Sequence, residues 1–159
     1  MRALLLVGLL ALAPSVQAAQ VEFIRVWPGW RDASLFKRIS EYFTNRENTD
    51  GIVIGRSRVD SRSGFYFLVR IKHPTVALPG AKFILRIITP HSPEKQEFAY
   101  PIDVGPKTEL FELGLTGPDW PNKKEHPVAW ELEVRSASGE LLAATESFLW
   151  SQPPRAVSR

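Results

Sequence analysis

The sequence predicts a mainly β fold, an antiparallel β-sandwich of seven or eight strands with one amphipathic helix after the first strand. Short apolar or alternating runs recur between residues 21 and 150, and Gly, Pro or Asn turns separate them. Short strands at such regular spacing are typical of sandwiches and barrels. One segment instead repeats its apolar residues at helical spacing, which predicts the helix. Hydrophobic residues make up 44% of the chain, enough for a core without disulfides, and there is no cysteine.

The mature fold is predicted to begin with a strand and then the helix. The stretch VEFIRVW (21–27) is rich in β-branched and aromatic residues, and we expect Pro28 and Gly29 to end it. In the helix, predicted over about 32–44, the apolar stripe consists of Leu35, Phe36, Ile39, Tyr42 and Phe43. Because such a stripe must be covered, we expect the helix to lie as a lid on its own sandwich. The alternative is an amphipathic helix for a partner or a membrane.

The other strands are predicted from alternating or short apolar runs. They are 52–58, 65–72, 81–89, 95–102, 108–115, 128–135 and 140–150. Alternation directs two sets of side chains inward: Phe65, Phe67, Val69 and Ile71 in one strand, and Val128, Trp130, Leu132 and Val134 in another.

The last two predicted strands form a hairpin from Trp130 to Leu142, with its turn at Gly139. This hairpin resembles the closing hairpin of bacterial immunoglobulin-like domains. The resemblance implies an immunoglobulin-like sandwich in the broad sense and implies no activity; the Cys–Trp–Cys spacing of antibody domains is absent. We expect Phe148 and Trp150 to share one face of the last strand, in the core or at its seam.

Residues 1–18 predict a cleaved signal peptide. Arg2 provides a positive start, residues 3–13 are apolar, and small residues precede a cleavage site after Ala18. We therefore expect an exported protein, periplasmic or extracellular, and not a lipoprotein, because no cysteine follows the apolar run. We also expect a single domain over 19–150, a disordered tail over 151–159 and no membrane insertion after cleavage.

Charge and motifs exclude several classes of function. The formal net charge is +3, with acidic and basic residues well mixed. A nucleic-acid-binding protein concentrates Lys and Arg on one face, whereas the most basic stretch here, GRSRVDSRSG, is interrupted by Asp60. No phosphate-binding glycine motif occurs, and the absence of cysteine excludes Cys-based catalysis and Cys-metal sites. We therefore expect no nucleic-acid partner and no cofactor.

Loop positions direct attention to one end of the sandwich. Short connections alternate the direction of successive strands, so loops collect at two poles. The first pole holds 73–80, 103–107 and 136–139; the second pole holds 60–64, 90–94, 116–127 and the chain after Trp150. Side chains suited to binding gather at the second pole, and the candidate binding residues are His91, Asp119, Trp120, Lys123, Lys124 and His126.

No catalytic or metal-binding residue is predicted. His73 falls at the first pole, so a three-histidine site is not expected, although His91 and His126 with Asp119 or Glu125 leave a small metal site or a hydrolase as an alternative. There is no G-x-S-x-G motif. The carboxylates Glu131 and Glu133 lie two residues apart in a strand and indicate a solvated sheet face.

Trp120, between Pro118 and Pro121, is the one tryptophan in a loop that need not bury it. It is either a plug held down by its prolines, which we favour, or a platform for sugars or proteins. The hypothesis from sequence is an exported non-enzymatic binding or assembly module of the cell envelope or secreted space, whose partner is another envelope or secreted protein. The alternatives are a carbohydrate-binding module using Trp120, and a hydrolase with a site near His91 and His126.

Overall fold

The computed structural model describes residues 21–38, 40–44, 47, 49, 51–72 and 76–152. Within them the chain forms eight strands: β1 (Phe23–Arg31), β2 (Val53–Arg56), β3 (Gly64–Ile71), β4 (Lys82–Thr89), β5 (Ser92–Pro101), β6 (Leu110–Thr116), β7 (Ala129–Arg135) and β8 (Leu141–Glu146). They build sheet A, with order β1-β3-β6-β2, and sheet B, with order β5-β4-β7-β8. The mainly β prediction is confirmed. The predicted signal peptide, His73 and tail residues 153–159 lie outside the described residues.

The inner faces of the two sheets share one apolar core. The predicted inward set of β3 is confirmed, because Phe65, Phe67, Val69 and Ile71 are all buried. Phe83 of β4 meets Phe111 of β6 across the sheets, with ring centroids 4.8 Å apart. Each large side chain buried in this way stabilises the fold by roughly 1.5–3 kcal/mol.

The inward set predicted for β7 is only partly correct. Leu132 and Val134 are buried, and Trp130, although half-buried, also faces the core, where its ring centroid lies 5.6 Å from that of Phe67. Val128 is exposed, because it precedes the first residue of β7 and lies in the connection from β6.

β1 does not end at the Trp-Pro-Gly-Trp sequence, and this prediction is wrong. The strand continues to Arg31, with Pro28 opposite Phe67 and Arg31 opposite Gly64. β1 is an edge strand with β3 as its one partner. An edge strand tolerates proline because an N–H that faces away from the sheet is not needed for pairing.

The prediction that the strands pair in antiparallel fashion is wrong for one pair. β2 pairs with β6 in parallel, from Val53 opposite Phe111 to Arg56 opposite Gly114. β1 and β2 occupy the two edges of sheet A and run in the same direction. A parallel arrangement requires a crossover connection, and described residues of the segment 32–52, which we call the crossing segment, lie over the outer face of sheet A, where Phe36 packs on Tyr66.

The predicted helix over 32–44 is wrong. Among the described residues of this segment there is a 3-10 helix at Ala33–Phe36 and one α-helical turn at Glu41–Thr44. Phe36 is only 7% exposed, whereas Leu35 is 56% and Phe43 85% exposed, so one of the three stripe residues whose side chains the structure describes is covered. Ile39 and the side chain of Tyr42 lie outside the described residues.

A missing cap explains why a longer helix does not form. Asp32 makes no side-chain cap bond; its carboxylate accepts hydrogen bonds from Trp30 Nε1 at 2.9 Å and from Lys123 Nζ at 2.7 Å instead. Short helices are marginal in water without capping and packing. Lys37 is extended and ends the first helical turn.

The last strand is shorter than predicted. β8 ends at Glu146, and a turn follows in which Trp150 N–H donates to the Ser147 carbonyl at 3.0 Å. The expectation that Phe148 and Trp150 lie in the core or at its seam is therefore wrong. Phe148 is exposed, and the ring of Trp150 lies under Lys95 Nζ, 4.4 Å from the ring centroid.

Candidate functional site

The structure brings the loops of the predicted second pole to one end of the molecule. Gly64 lies opposite Thr116 in sheet A, so the connections before β3 and after β6 meet. In sheet B, Ile88 lies opposite Ala129, so the turn after β4 meets the connection into β7. The candidate residues from His91 to His126 are therefore neighbours in the fold.

Trp120 is a core residue at this pole. It is 4% exposed, and its ring centroid lies 5.5 Å from that of Phe65. Its Nε1 donates to the Glu125 carbonyl at 3.4 Å, and the ring of His126 meets Phe65 edge-on at 5.4 Å. The interpretation of Trp120 as a sugar platform is wrong, because stacking needs an exposed ring face and this ring closes the end of the core.

Ion pairs fix the loop 116–127 to its neighbours. Arg58 donates to both carboxylate oxygens of Asp119, at 3.0 and 3.1 Å. Lys123 reaches Asp32, and hydrogen bonds from Lys123 and then Trp30 lower the pKa of that carboxyl. Lys124 is exposed and has no side-chain partner among the described residues. The loop is thus a rigid plug from which Lys124 projects.

The predicted histidine pair is not a shared site in this structure. His91 Nε2 lies 3.0 Å from Glu125 Oε2 at the exposed surface, whereas His126 packs on Phe65. Within the described residues, no group of three or more His, Asp or Glu side chains has an arrangement that holds a metal ion. The contact between His91 and Glu125 is a surface ion pair when the imidazole is protonated.

Four exposed apolar side chains lie on loops at the end of the sandwich that holds the plug, and sequence reasoning did not identify them. They are Val59, Val128, Phe148 and Leu149. Val59 is 87% and Phe148 77% exposed. Alternation suggested an inward Val128 and a core Phe148, so no sequence signal separated these residues from the core. We call these four residues the second-pole patch, because they lie at the second pole.

The outer face of sheet B carries a charge network. Arg86 donates to Glu97, Glu131 and Glu133 at 2.8–2.9 Å, and Arg135 donates to Glu133 at 2.7 Å. Hydrogen bonds from Arg135 and then Arg86 lower the pKa of Glu133. Glu131 and Glu133, the two carboxylates predicted on this face, are therefore paired with arginines, and these ion pairs stabilise the sheet.

The outer face of sheet A contains a cleft of about 270 Å³ beneath the crossing segment 32–52. Its floor is formed by side chains of sheet A, among them Leu68 and Glu112, and Phe36 is part of its cover. The Glu112 side chain is 9% exposed, and its ion-pair partner is Arg31, at 3.5 Å. Sequence alternation places Glu112 on the outer face of β6, but its burial depends on a segment more than sixty residues earlier.

Comparisons with known proteins identify no relative, so the function is inferred from the geometry of the site. No protein-family model matches the chain, and a search of curated proteins found no significant match. Among the described residues there is also no helix long and apolar enough to cross a membrane.

Proposed function

We propose that the chain is an exported, non-enzymatic binding or assembly module of the cell envelope or secreted space, built as an immunoglobulin-like sandwich in the broad sense. Its partner is another envelope or secreted protein, which binds at the second pole. The export part of this proposal rests on the signal-peptide pattern of residues 1–18.

The observation that supports the proposal is the second-pole patch, a set of exposed apolar side chains. Val59 and Phe148 are among the most exposed large apolar side chains of the described residues, and they lie at the same pole although they are far apart in sequence. Apolar side chains that face water at one end of a fold are candidate anchors for a partner. Aromatic anchors such as Phe148 contribute strongly to protein interfaces when a partner covers them.

The plug supports the same proposal through rigidity. Asp119, Lys123 and Glu125 are each tied to a neighbouring segment, and Trp120 is packed below them. A surface that is already ordered loses less conformational entropy when it binds, so more of the contact energy appears as affinity. Exposed Lys124 adds a positive charge beside the patch, which favours a partner with an acidic rim.

Recovery of partners by patch variants tests the proposal. The tagged full chain is expressed in its native host, cross-linked reversibly, and purified from envelope and medium, together with Val59→Asp and Phe148→Asp. The matched control is Val76→Asp, which changes an exposed valine at the first pole. We expect a discrete set of proteins to fall at least about tenfold in both patch variants and to persist in the control. Equal recovery from all variants, or equal loss in the control, would contradict the proposal.

A further inference from the structure

The cleft on the outer face of sheet A is a different site from the partner interface proposed at the second pole. Apolar side chains line it, among them Leu35, Phe36, Ile54 and Leu68, together with Thr49 and four charged residues, Arg31, Arg38, Glu47 and Glu112. Small-molecule sites in proteins typically combine an apolar lining with a few polar groups that orient the ligand. The cleft therefore has the composition of a ligand site and lies on a sheet face, away from the loops of the pole.

Glu112 is a mostly buried acidic group in the lining of the cleft. Its side chain is 9% exposed, its ion-pair partner among the described residues is Arg31 at 3.5 Å, and its carboxylate oxygens remain accessible to water. An ionised carboxylate accepts about four hydrogen bonds when it is fully satisfied. An ammonium group in the cleft can therefore replace water at these oxygens with a charge-assisted hydrogen bond, which is stronger than a hydrogen bond between neutral groups.

Arg31, the ion-pair partner of Glu112, is held loosely. Its closest contact with Glu112 is 3.5 Å, and its side chain is about one-third exposed. The neighbouring pair differs, because Arg56 donates to both carboxylate oxygens of Glu47 and to Tyr66. The loose pair exchanges partners more easily than the bidentate pair, since less hydrogen bonding is lost when it opens.

We propose that the cleft binds a small zwitterion with an apolar side chain, an α-amino acid, whose ammonium pairs with Glu112 and whose carboxylate pairs with Arg31. Binding opens one internal ion pair and forms two, so every charge keeps a counter-charge. The apolar side chain lies on Leu68 and Ile54, out of water. A cleft of about 270 Å³ is just below the usual size range for drug-sized ligands and suits a ligand of this size.

Titration of the isotope-labelled, exported protein with L-leucine, followed by two-dimensional NMR, tests this proposal. Two probes of the same shape lack one charge each: 4-methylpentanoate lacks the ammonium, and 3-methylbutylamine lacks the carboxylate. We expect saturable shifts at Leu68, Leu110 and Glu112 with leucine. Each single-charge probe should bind at least about tenfold more weakly, because it leaves one partner of the opened pair unsatisfied.

A Glu112 variant and a matched control test whether Glu112 binds the ammonium group of the ligand. Glu112→Gln should abolish the leucine response, and the matched control Glu131→Gln, which alters an Arg-paired carboxylate in sheet B, should retain it. If Glu112→Gln does not fold, the comparison of the three probes on the unaltered protein still decides. The proposal is overturned if leucine gives no saturable shift, if either single-charge probe binds as tightly as leucine, or if Glu131→Gln loses the response equally. Partner recovery at the second pole does not enter this test, so the two proposals fail separately.

Discussion

The ring of Phe36 lies against the ring of Tyr66 on the outer face of sheet A, with the centroids 4.9 Å apart. Tyr66 O–H donates to the Arg62 carbonyl at 2.8 Å and its oxygen accepts from Arg56 Nε at 3.1 Å. The guanidinium of Arg56 also stacks on Phe36 at 5.1 Å. These contacts anchor the crossing segment on sheet A at Phe36.

Removal of the Phe36 ring should therefore destabilise the whole fold. We expect Phe36→Ala to lower the free energy of unfolding by about 3 kcal/mol, since a buried ring and its contacts are lost. The neighbouring Leu35 is mostly exposed, and Leu35→Ala should cost less than about 1 kcal/mol. Urea denaturation measures both. Equal effects from the two substitutions would show that the segment is not anchored at Phe36.

The absence of a side chain at Gly114 creates the place where the Tyr66 ring lies. A Cβ at position 114 would overlap that ring, so Gly114→Ala should lower the free energy of unfolding by about 1–3 kcal/mol. Gly29 is the control, because it lies opposite Tyr66 on the other neighbouring strand and a Cβ there meets nothing within 4 Å. Gly29→Ala should be neutral within about 0.5 kcal/mol in the same denaturation assay. A tolerated Gly114→Ala would contradict this packing.

Trp120 should behave as a core residue in stability measurements. We expect Trp120→Ala to lower the free energy of unfolding by about 3–5 kcal/mol, because the ring fills the end of the core beside Phe65. The exposed Lys124 is the control, and Lys124→Ala should stay within about 0.5 kcal/mol of the unaltered protein. Thermal unfolding followed by circular dichroism measures both. An unchanged melting temperature for Trp120→Ala would contradict the packing of this ring in the core.

Glu133 should give the fold an acid-sensitive contribution. Its pKa is lowered from 4.5 by hydrogen bonds from Arg135 and Arg86, so the folded protein holds its proton less tightly than the unfolded chain does. The stabilisation is therefore full above pH 4.5 and is lost as the pH falls through the lower folded pKa. Between pH 5 and about pH 2.5, Glu133→Gln should lose stability less steeply than the unaltered protein.

The measurement is the urea midpoint at several acidic pH values. Glu140→Gln is the control, because Glu140 is exposed and its carboxylate has no ion pair among the described residues. This control should follow the unaltered protein. Parallel curves for Glu133→Gln and the unaltered protein would show that the arginine pairs on sheet B add nothing to acid stability.

Local patterns predicted the strands where alternation and burial agree. In β3, for example, every second side chain is buried in the core. The helix prediction failed because periodicity ignores distant partners: Asp32, the expected cap, instead pairs with Lys123, which comes from a far later loop. The parallel position of β2 and the cleft around Glu112 were equally beyond sequence patterns. Both depend on the path of the crossing segment over sheet A, which no local run of residues specifies.

Site-specific photo-cross-linking tests the central functional claim most directly. A photoreactive amino acid replaces Val59 or Phe148 at the second pole, and Val76 at the first pole serves as the matched exposed control. The account predicts that irradiation of intact cells yields one adduct of the same mass from positions 59 and 148 and none from position 76. An adduct of equal yield from position 76, or no light-dependent adduct from either patch position, would contradict it.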